Sequence, residues 1–349
     1  MNQPNFSDNI LISTGITEID ILGDVIPDMQ ASTLEACGVD VGDSLNILFS
    51  GGAVIEDLPY YDDFFGSRGE TMLANLGGQL KLGGQYYDFA ESYGITKDET
   101  LSIVLNTKGK YRDKYMLYRL PTGYNRAAYD TEEQFTNFRN VIFGEIASGV
   151  LYRSASPVSD KYGRSKELGS VIKNTEIKTI LNLADTKEKV SSYRSIDDHV
   201  KAMISSGSVI FAGTGVNFYG DDFCRHLAHS LEEMSKKEAP YLIHCSLGRD
   251  RTGFVCAVLE ALMGAAYEEI TADYMQSFEN VNMLDKHNEP EKYNLYQHEL
   301  DDIFIFLTSA ESPAEIRNSD LRRAAGQYLL RGGMTVEELE LLKHRLTHG

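Results

Sequence analysis

The stretch YLIHCSLGRDRTGFVCAVLEALMG, residues 241–264, joins an apolar run of strand length to a longer apolar run of helix length through a few polar and glycine residues. A strand that is apolar on both faces must be covered on both, and a helix that is apolar nearly all round must be buried. A chain containing this seam is therefore expected to build helices around a parallel sheet, with the connecting loop at the sheet's carboxyl edge. The neighbouring text agrees. IKTILNLA (177–184) has the pattern of a second buried strand, and FCRHLAHSLEEMSKK (223–237) that of an amphipathic helix. GGMTVEELELLKHRL begins with a Thr335/Glu338 capping box and places Leu339, Leu342 and Leu346 on one face, which predicts a docking helix.

The first third of the chain has a different texture. Short alternating runs such as SLNILFS and LSIVLNT are separated by glycine and aspartate turns, which predicts a small β-rich domain. Within it, LEACGVDVGDSLNILFS (34–50) and FAESYGITKDETLSIVLNT (89–107) share a helix-like lead, a glycine, an acidic turn and a strand. They read as an internal duplication, and doubled strand units of this kind often close into a barrel that leaves no free edge. The aromatic, acidic DLPYYDDFFGSRGE is expected to pack rather than to bind. Pro121 and Gly123 interrupt the pattern, so the expected division is a barrel-like domain at 1–125 and an α/β domain at 126–349.

With 349 residues there is length for two such domains and for a sizeable core. A net charge of −19 repels phosphate backbones and anionic bilayers, so nucleic acid is not an expected partner, and any bound anion needs a local constellation. No apolar run reaches the length of a membrane span, and the first residues lack the charged and apolar regions of a leader; the cytoplasm is the expected compartment. The four cysteines, Cys37, Cys224, Cys245 and Cys256, show neither C-x-x-C pairing nor zinc spacing, so no metal or cofactor is expected, and three are read as buried thiols.

Cys245 is the exception because of where it stands. The backbone N–H groups of Ser246, Leu247, Gly248, Arg249 and Asp250, in a short loop before a helix N-terminus, can converge on a tetrahedral oxyanion. Gly248 and Gly253 would allow tight curvature, and Arg251 can hold two phosphoryl oxygens with its planar fork. The same dipoles favour a thiolate at Cys245, a nucleophile at neutral pH. Thr252 is placed to donate to that sulfur as it leaves, and His244 to orient the loop through backbone carbonyls.

HCSLGRDRTG resembles the H-C-x5-R-[S/T] signature of the cysteine-dependent protein tyrosine and dual-specificity phosphatases. NFRNV (137–141), GVLYRSASP (149–157) and IKTILNLADTKEKV (177–190) resemble, in order, the opening segments of that superfamily's atypical bacterial branch. The resemblance implies a tyrosine-phosphatase-like domain with a mainly parallel central sheet flanked by helices. It also implies hydrolysis of phosphate monoesters through a phosphocysteine intermediate, on phosphorylated proteins or, alternatively, on phosphoinositides or inositol phosphates. A module that binds phosphorylated ligands without turnover is the reading from another class. The branch usually has Lys-Asp before the arginine where this chain has Arg249 and Asp250, and extra basic charge there is associated with more highly phosphorylated or lipid substrates. Arg139 and Arg153 are expected to bridge to the acidic DTKEK turn rather than to act as substrate ligands. Residues 15–120 resemble the C-terminal barrel of the bacterial S-adenosylmethionine hydroxide adenosyltransferases; adenosylmethionine binding there needs another domain, so no ligand is carried over.

The general acid is the least obvious part. SGSVIFAGTGVNFYG (206–220) contains no carboxylate, although many relatives place their acid in the corresponding loop. Asp221 and Asp222 look like helix-capping residues, Asp185 follows a strand, and Asp250 lies inside the cradle itself; proximity favours Asp250.

Overall fold

The computed structural model describes residues 10–20, 22–66, 69–85, 87–121 and 125–349. Gly123 and the first nine residues lie outside this set. The chain divides into two compact units, Met1–Arg119 and Leu120–Gly349. Among the described residues no helix is long and apolar enough to cross a membrane.

The first unit is a closed barrel of seven strands: β1 (Ile10–Ile19), β2 (Val25–Pro27), β3 (Ser44–Phe49), β4 (Val54–Tyr61), β5 (Thr71–Leu76), β6 (Gln79–Gly84) and β7 (Thr100–Thr107). They run in the order β1-β2-β6-β5-β4-β3-β7, so every strand has two neighbours and no edge is exposed. Leu45, Ile47, Leu73, Leu82, Leu101 and Ile103 fill the interior. The aromatic stretch packs as expected, with Tyr60 and Tyr61 fully buried and Tyr61 stacked on Tyr115.

The two sequence repeats take equivalent places. Helices Ala31–Ala36 and Phe89–Tyr93 end near left-handed Gly38 and Gly94, and lead through turns into β3 and β7. These strands pair antiparallel with Ile47 opposite Ile103, its own counterpart in the other copy, so a local pseudo-twofold axis passes through that pair. The acidic turns obey the same symmetry. Asp43 accepts from the N–H of Asp40 at 2.8 Å and of Gly109 at 2.7 Å; Glu99 accepts from the N–H of Thr96 and of Gly51, both at 2.9 Å. Each carboxylate thus closes the turn before its own strand and holds the backbone beyond the end of the other.

The second unit carries a five-stranded sheet, in the order β11-β10-β12-β9-β8. Its strands are β8 (Arg139–Val141), β9 (Leu151–Ser154), β10 (Thr179–Asn182), β11 (Val209–Phe211) and β12 (Tyr241–His244). Four strands are parallel and the edge strand β8 is antiparallel to β9, so the expectation of a parallel sheet holds except at that edge. Leu168, Ile172, Val200 and Leu242 belong to a core cluster of this unit. The helix Asp250–Leu262 is buried at every position from Thr252 onward, as its uniformly apolar sequence requires. The final helix, Val336–His348, has its Thr335/Glu338 capping box and buries Leu339, Leu342 and Leu346. All four cysteines are free; Cys37 is exposed rather than buried, because it caps the short first helix of the barrel.

The barrel's two acids make an asymmetric prediction. Asp43 is nearly inaccessible; burial opposes its charge, but the Asp40 and Gly109 N–H groups and the Lys108 ammonium together hold its carboxyl below the ordinary value of 3.8. Asp43→Ala should cost about 1.5–3 kcal/mol in urea denaturation, and Glu99→Ala less. Because the folded pKa is depressed, Asp43's contribution is present above the unfolded value and is lost as the pH falls below 3.8, so the wild-type advantage over Asp43→Ala should shrink there.

Candidate active site

Strand β12 ends at His244, Cys245 to Arg249 form the loop, and the following helix begins at Asp250, two residues earlier than its apolar run suggests. A trans peptide points its C=O and N–H in opposite directions, so a loop whose N–H groups face one way must find acceptor partners for its carbonyls on the other. Every carbonyl from His244 to Arg249 has one. Leu183 N–H donates to His244 O at 2.9 Å, and His244 Nδ1 lies 3.1 Å from Cys245 O. The Ser156 N–H donates to Ser246 O at 3.1 Å, and Asn137 Nδ2 to the carbonyls of Leu247 at 3.3 Å and Gly248 at 3.0 Å. Arg153 Nη2 also donates to Gly248 O at 2.9 Å, and Gly253 N–H to Arg249 O at 2.7 Å.

Burial pushes His244 down to about 4, so its ring is neutral; a carbonyl can only accept, and the proton therefore sits on Nδ1. This matches the orienting part expected of His244. Gly248 is left-handed with φ +70°, and a Cβ there would lie 2.2 Å from Ser154 O, so the loop's approach to β9 requires glycine. Gly253 acts differently from expectation. It lies within the helix, where a Cβ would come 2.9 Å from the Tyr274 ring, so the glycine allows that ring's close approach rather than curvature.

Cys245 is 2% exposed at the base of the loop. The Thr252 hydroxyl is buried and has no hydrogen-bond partner among the described residues. Arg251 spans the loop, donating from Nη1 to Thr214 O at 3.0 Å and from Nη2 to Ser246 Oγ at 3.3 Å. Thr214 is itself pinned, since its N–H and hydroxyl both donate to Leu183 O at 2.9 Å. The guanidinium therefore rests on the segments that follow β11 and β12 at once, and a guanidinium has five N–H donors, more than these two bonds use.

Arg249 turns away from the place expected of it. Its Nε donates to Asp250 at 2.8 Å and its Nη1 to Asn282 Oδ1 at 3.0 Å, and the guanidinium lies 5.0 Å from the centre of the Phe278 ring. Burial and the Asp250 charge push nearby Glu299 up to about 8, so near neutrality it favours its protonated form and leaves Arg249 to Asp250. Asp250 sits at the rim with its side chain 37% exposed. Asp185 is buried beyond β10, where Tyr193 donates to it at 2.9 Å and Lys189 pairs with it at 3.2 Å. Asp221 and Asp222 occupy the first turn of the helix Asp221–Ser235, whose N-cap is Gly220, and their side chains point outward, the latter to Arg225.

Arg139 and Arg153 do not reach the DTKEK turn. Both are tied to Asp273 on the helix Tyr267–Asn282, Arg139 through Nε at 2.7 Å and Arg153 through Nη1, and both donate to Ser277 Oγ. The pairing follows from the sheet, because Arg139 on β8 stands opposite Arg153 on β9 and both face that helix. Burial opposes the Asp273 charge, yet the two guanidinium groups hold its carboxyl well below the usual range. Fully buried Glu260 is pushed the other way by burial and by Asp273, and favours its protonated form. Sequence reasoning missed Asn137, Asp273, Ser277 and Asn280. The available signal was a polar stripe, Asp273, Ser277 and Asn280 at helical spacing, beside the apolar stripe Ile270, Tyr274, Phe278 and Val281.

The model of the tyrosine phosphatase family matches residues 133–348, which takes in the sheet, the loop and the helices around it. The chain belongs to the tyrosine phosphatase family. No curated protein matches it. Among solved structures, the catalytic domain of the PP-IP phosphatase SIW14 from S. cerevisiae is similar at 20% identity and a TM-score of 0.30, over 48% of this chain and 90% of that one. TpbA from P. aeruginosa is similar at 16% identity and a TM-score of 0.27, over 45% and 84%. An uncharacterized conserved protein from Thermotoga maritima matches at 15% identity and a TM-score of 0.24; the match takes in 26% of this chain and 35% of that one, about a third of its length.

The buried charges behind the loop can be tested for stability. Asp273→Asn leaves two guanidinium groups without their counter-charge and should cost about 3–5 kcal/mol in denaturant unfolding. Glu260→Gln, which mimics the protonated acid, should change stability by much less.

Proposed function

We propose that this member of the tyrosine phosphatase family hydrolyses phosphate monoesters on phosphotyrosine-containing proteins through a phosphocysteine intermediate. What supports this reading is the loop of residues 245–251, whose carbonyls are bonded from behind, which turns the N–H groups of the same peptides to the opposite side. In the first step the Cys245 thiolate attacks phosphorus, the bond to the leaving oxygen breaks, and Asp250 gives that oxygen a proton. The N–H groups of Ser246 to Arg251 and the Arg251 guanidinium stabilise the equatorial oxygens. Water then attacks the phosphocysteine, Asp250 takes its proton, and the sulfur leaves with the Thr252 hydroxyl donating to it. His244 keeps the loop in register. The first unit we read as a barrel related to that of the hydroxide adenosyltransferases, a reading supported by its closure and internal symmetry.

The rival substrate class, phosphoinositides or inositol phosphates, draws on Arg249 as extra basic charge for further phosphate groups. Its engagement with Asp250, Asn282 and Phe278 favours the phosphoprotein reading. A binding module without turnover would use Arg251 but has no use for a nucleophilic cysteine with a threonine hydroxyl in this register. Phosphate release should be measured from phosphotyrosine peptides, phosphoserine peptides, each phosphoinositide and inositol hexakisphosphate. Phosphotyrosine peptides should be turned over fastest; release confined to the lipids or inositol phosphates would overturn the assignment.

Cys245→Ser should abolish turnover of p-nitrophenyl phosphate while tungstate still binds, because the cradle is mostly backbone. Residual activity within about tenfold of wild type would remove Cys245 as nucleophile. Asp250→Asn should lower kcat by roughly 10²- to 10⁴-fold for a phosphate ester with a poor leaving group and far less for p-nitrophenyl phosphate, whose phenolate needs little protonation. Equal losses on both substrates would point to a structural role for Asp250 and move the search for the acid to Asp185, Asp221 and Asp222.

A further inference from the structure

Asn137 and Arg153 sit outside the Cys245–Arg251 loop, yet both reach the backs of its peptides. The Asn137 amide spends both its faces on the site: Nδ2 donates to the carbonyls of Leu247 and Gly248, and Oδ1 accepts from Arg139 at 2.6 Å and from Asn280 at 3.1 Å. The Arg153 guanidinium, fully buried, divides its donors among Gly248 O, Asp273 and Ser277. Both side chains meet the loop through its carbonyls.

Fixing the carbonyl of Leu247 fixes the N–H of Gly248 in the opposite direction, and fixing that of Gly248 does the same for Arg249. We propose that Asn137 and Arg153 are positioning residues of the oxyanion cradle, aiming the N–H groups of Gly248 and Arg249 at the transferring phosphoryl group. The inference rests on the phosphatase reading given above. Anchorage is needed because a peptide flip at either position would present a carbonyl to the phosphoryl oxygens, exchanging attraction for repulsion. Asn137 fits this position for a second reason. Its backbone is left-handed, with φ +55°, a conformation that asparagine tolerates better than most residues. The polar stripe of the helix Tyr267–Asn282 then supports both holders, Asp273 and Ser277 under Arg153 and Asn280 under Asn137.

The test uses the full chain and tungstate titrated by calorimetry, alongside p-nitrophenyl phosphate kinetics. Asn137→Asp is isosteric and tolerates the left-handed backbone; it keeps an oxygen for Arg139 and Asn280 but turns an acceptor toward the two carbonyls. The folded variant should bind tungstate about tenfold to a hundredfold more weakly at unchanged stoichiometry, the scale of one or two lost charge-assisted hydrogen bonds. Asn137→Gly, which keeps the backbone conformation and deletes the amide, should move the same way. A purely structural asparagine would lower the melting temperature and leave the affinity of the folded fraction alone, so tungstate binding within about twofold of wild type in either variant overturns the inference. If wild type itself binds no tungstate, the phosphatase reading fails, and the inference with it.

Discussion

A peptide group cannot present its N–H to a ligand without sending its carbonyl the other way, and the second unit is organised around that constraint. Its loop after β12 turns several successive N–H groups toward one side, which leaves as many carbonyls pointing into the protein. An unpaired buried carbonyl costs free energy comparable to a lost hydrogen bond, so each must meet a donor of its own. The parallel sheet supplies the outer donors, from Leu183 beyond β10 and Ser156 beyond β9. At the centre of the loop the carbonyls of Leu247 and Gly248 take side-chain donors instead, the Asn137 amide and the Arg153 guanidinium.

Bringing a guanidinium to that place has electrostatic consequences. A buried cation is tolerable only when paired, and Asp273 supplies the partner for Arg153 and Arg139 together. A second ionised carboxylate at that spot would repel the first, and Glu260, beside Asp273, is accordingly biased toward its neutral form. Two guanidinium groups against one carboxylate leave a net positive charge behind a loop whose proposed ligand is an anion. The same residues that satisfy the backbone thus add favourable potential for that ligand.

The parts of this arrangement that repeat locally were legible in the sequence. The strand, the tight loop and the apolar helix around Cys245 follow from periodicity, as do the barrel strands and the repeat that pairs Ile47 with Ile103. The supports of the loop were not legible, because they come from segments 95 to 111 residues before the carbonyls they hold and from the helix that follows. Nothing local marks Asn137 as a left-handed residue or Asp273 as a buried charge; a polar stripe on a helix has the same pattern whether it faces water or a guanidinium. Local pattern alone directs Arg139 and Arg153 to the acidic turn at 185–189. The antiparallel pairing of β8 with β9 is what directs both arginines to the helix Tyr267–Asn282 instead.

Arg249 shows how the same tertiary context changes the meaning of a motif residue. In the sequence it is a second arginine beside the proposed phosphate-clamping one, and its charge looks available to a substrate. In the structure its planar face lies over Phe278, one edge is held by Asn282, and Nε is given to Asp250. A guanidinium with that many fixed partners loses them if it swings out to a ligand, so its contribution to substrate affinity is offset by the contacts it abandons. Its clearer effect is on geometry, since it fixes the rotamer of the neighbouring carboxylate. Asn282 extends the linkage, because its Nδ2 donates to Pro121 O at 3.1 Å while its Oδ1 holds Arg249. The first residues of the second unit are thereby connected, through one amide and one guanidinium, to the carboxylate proposed as the acid.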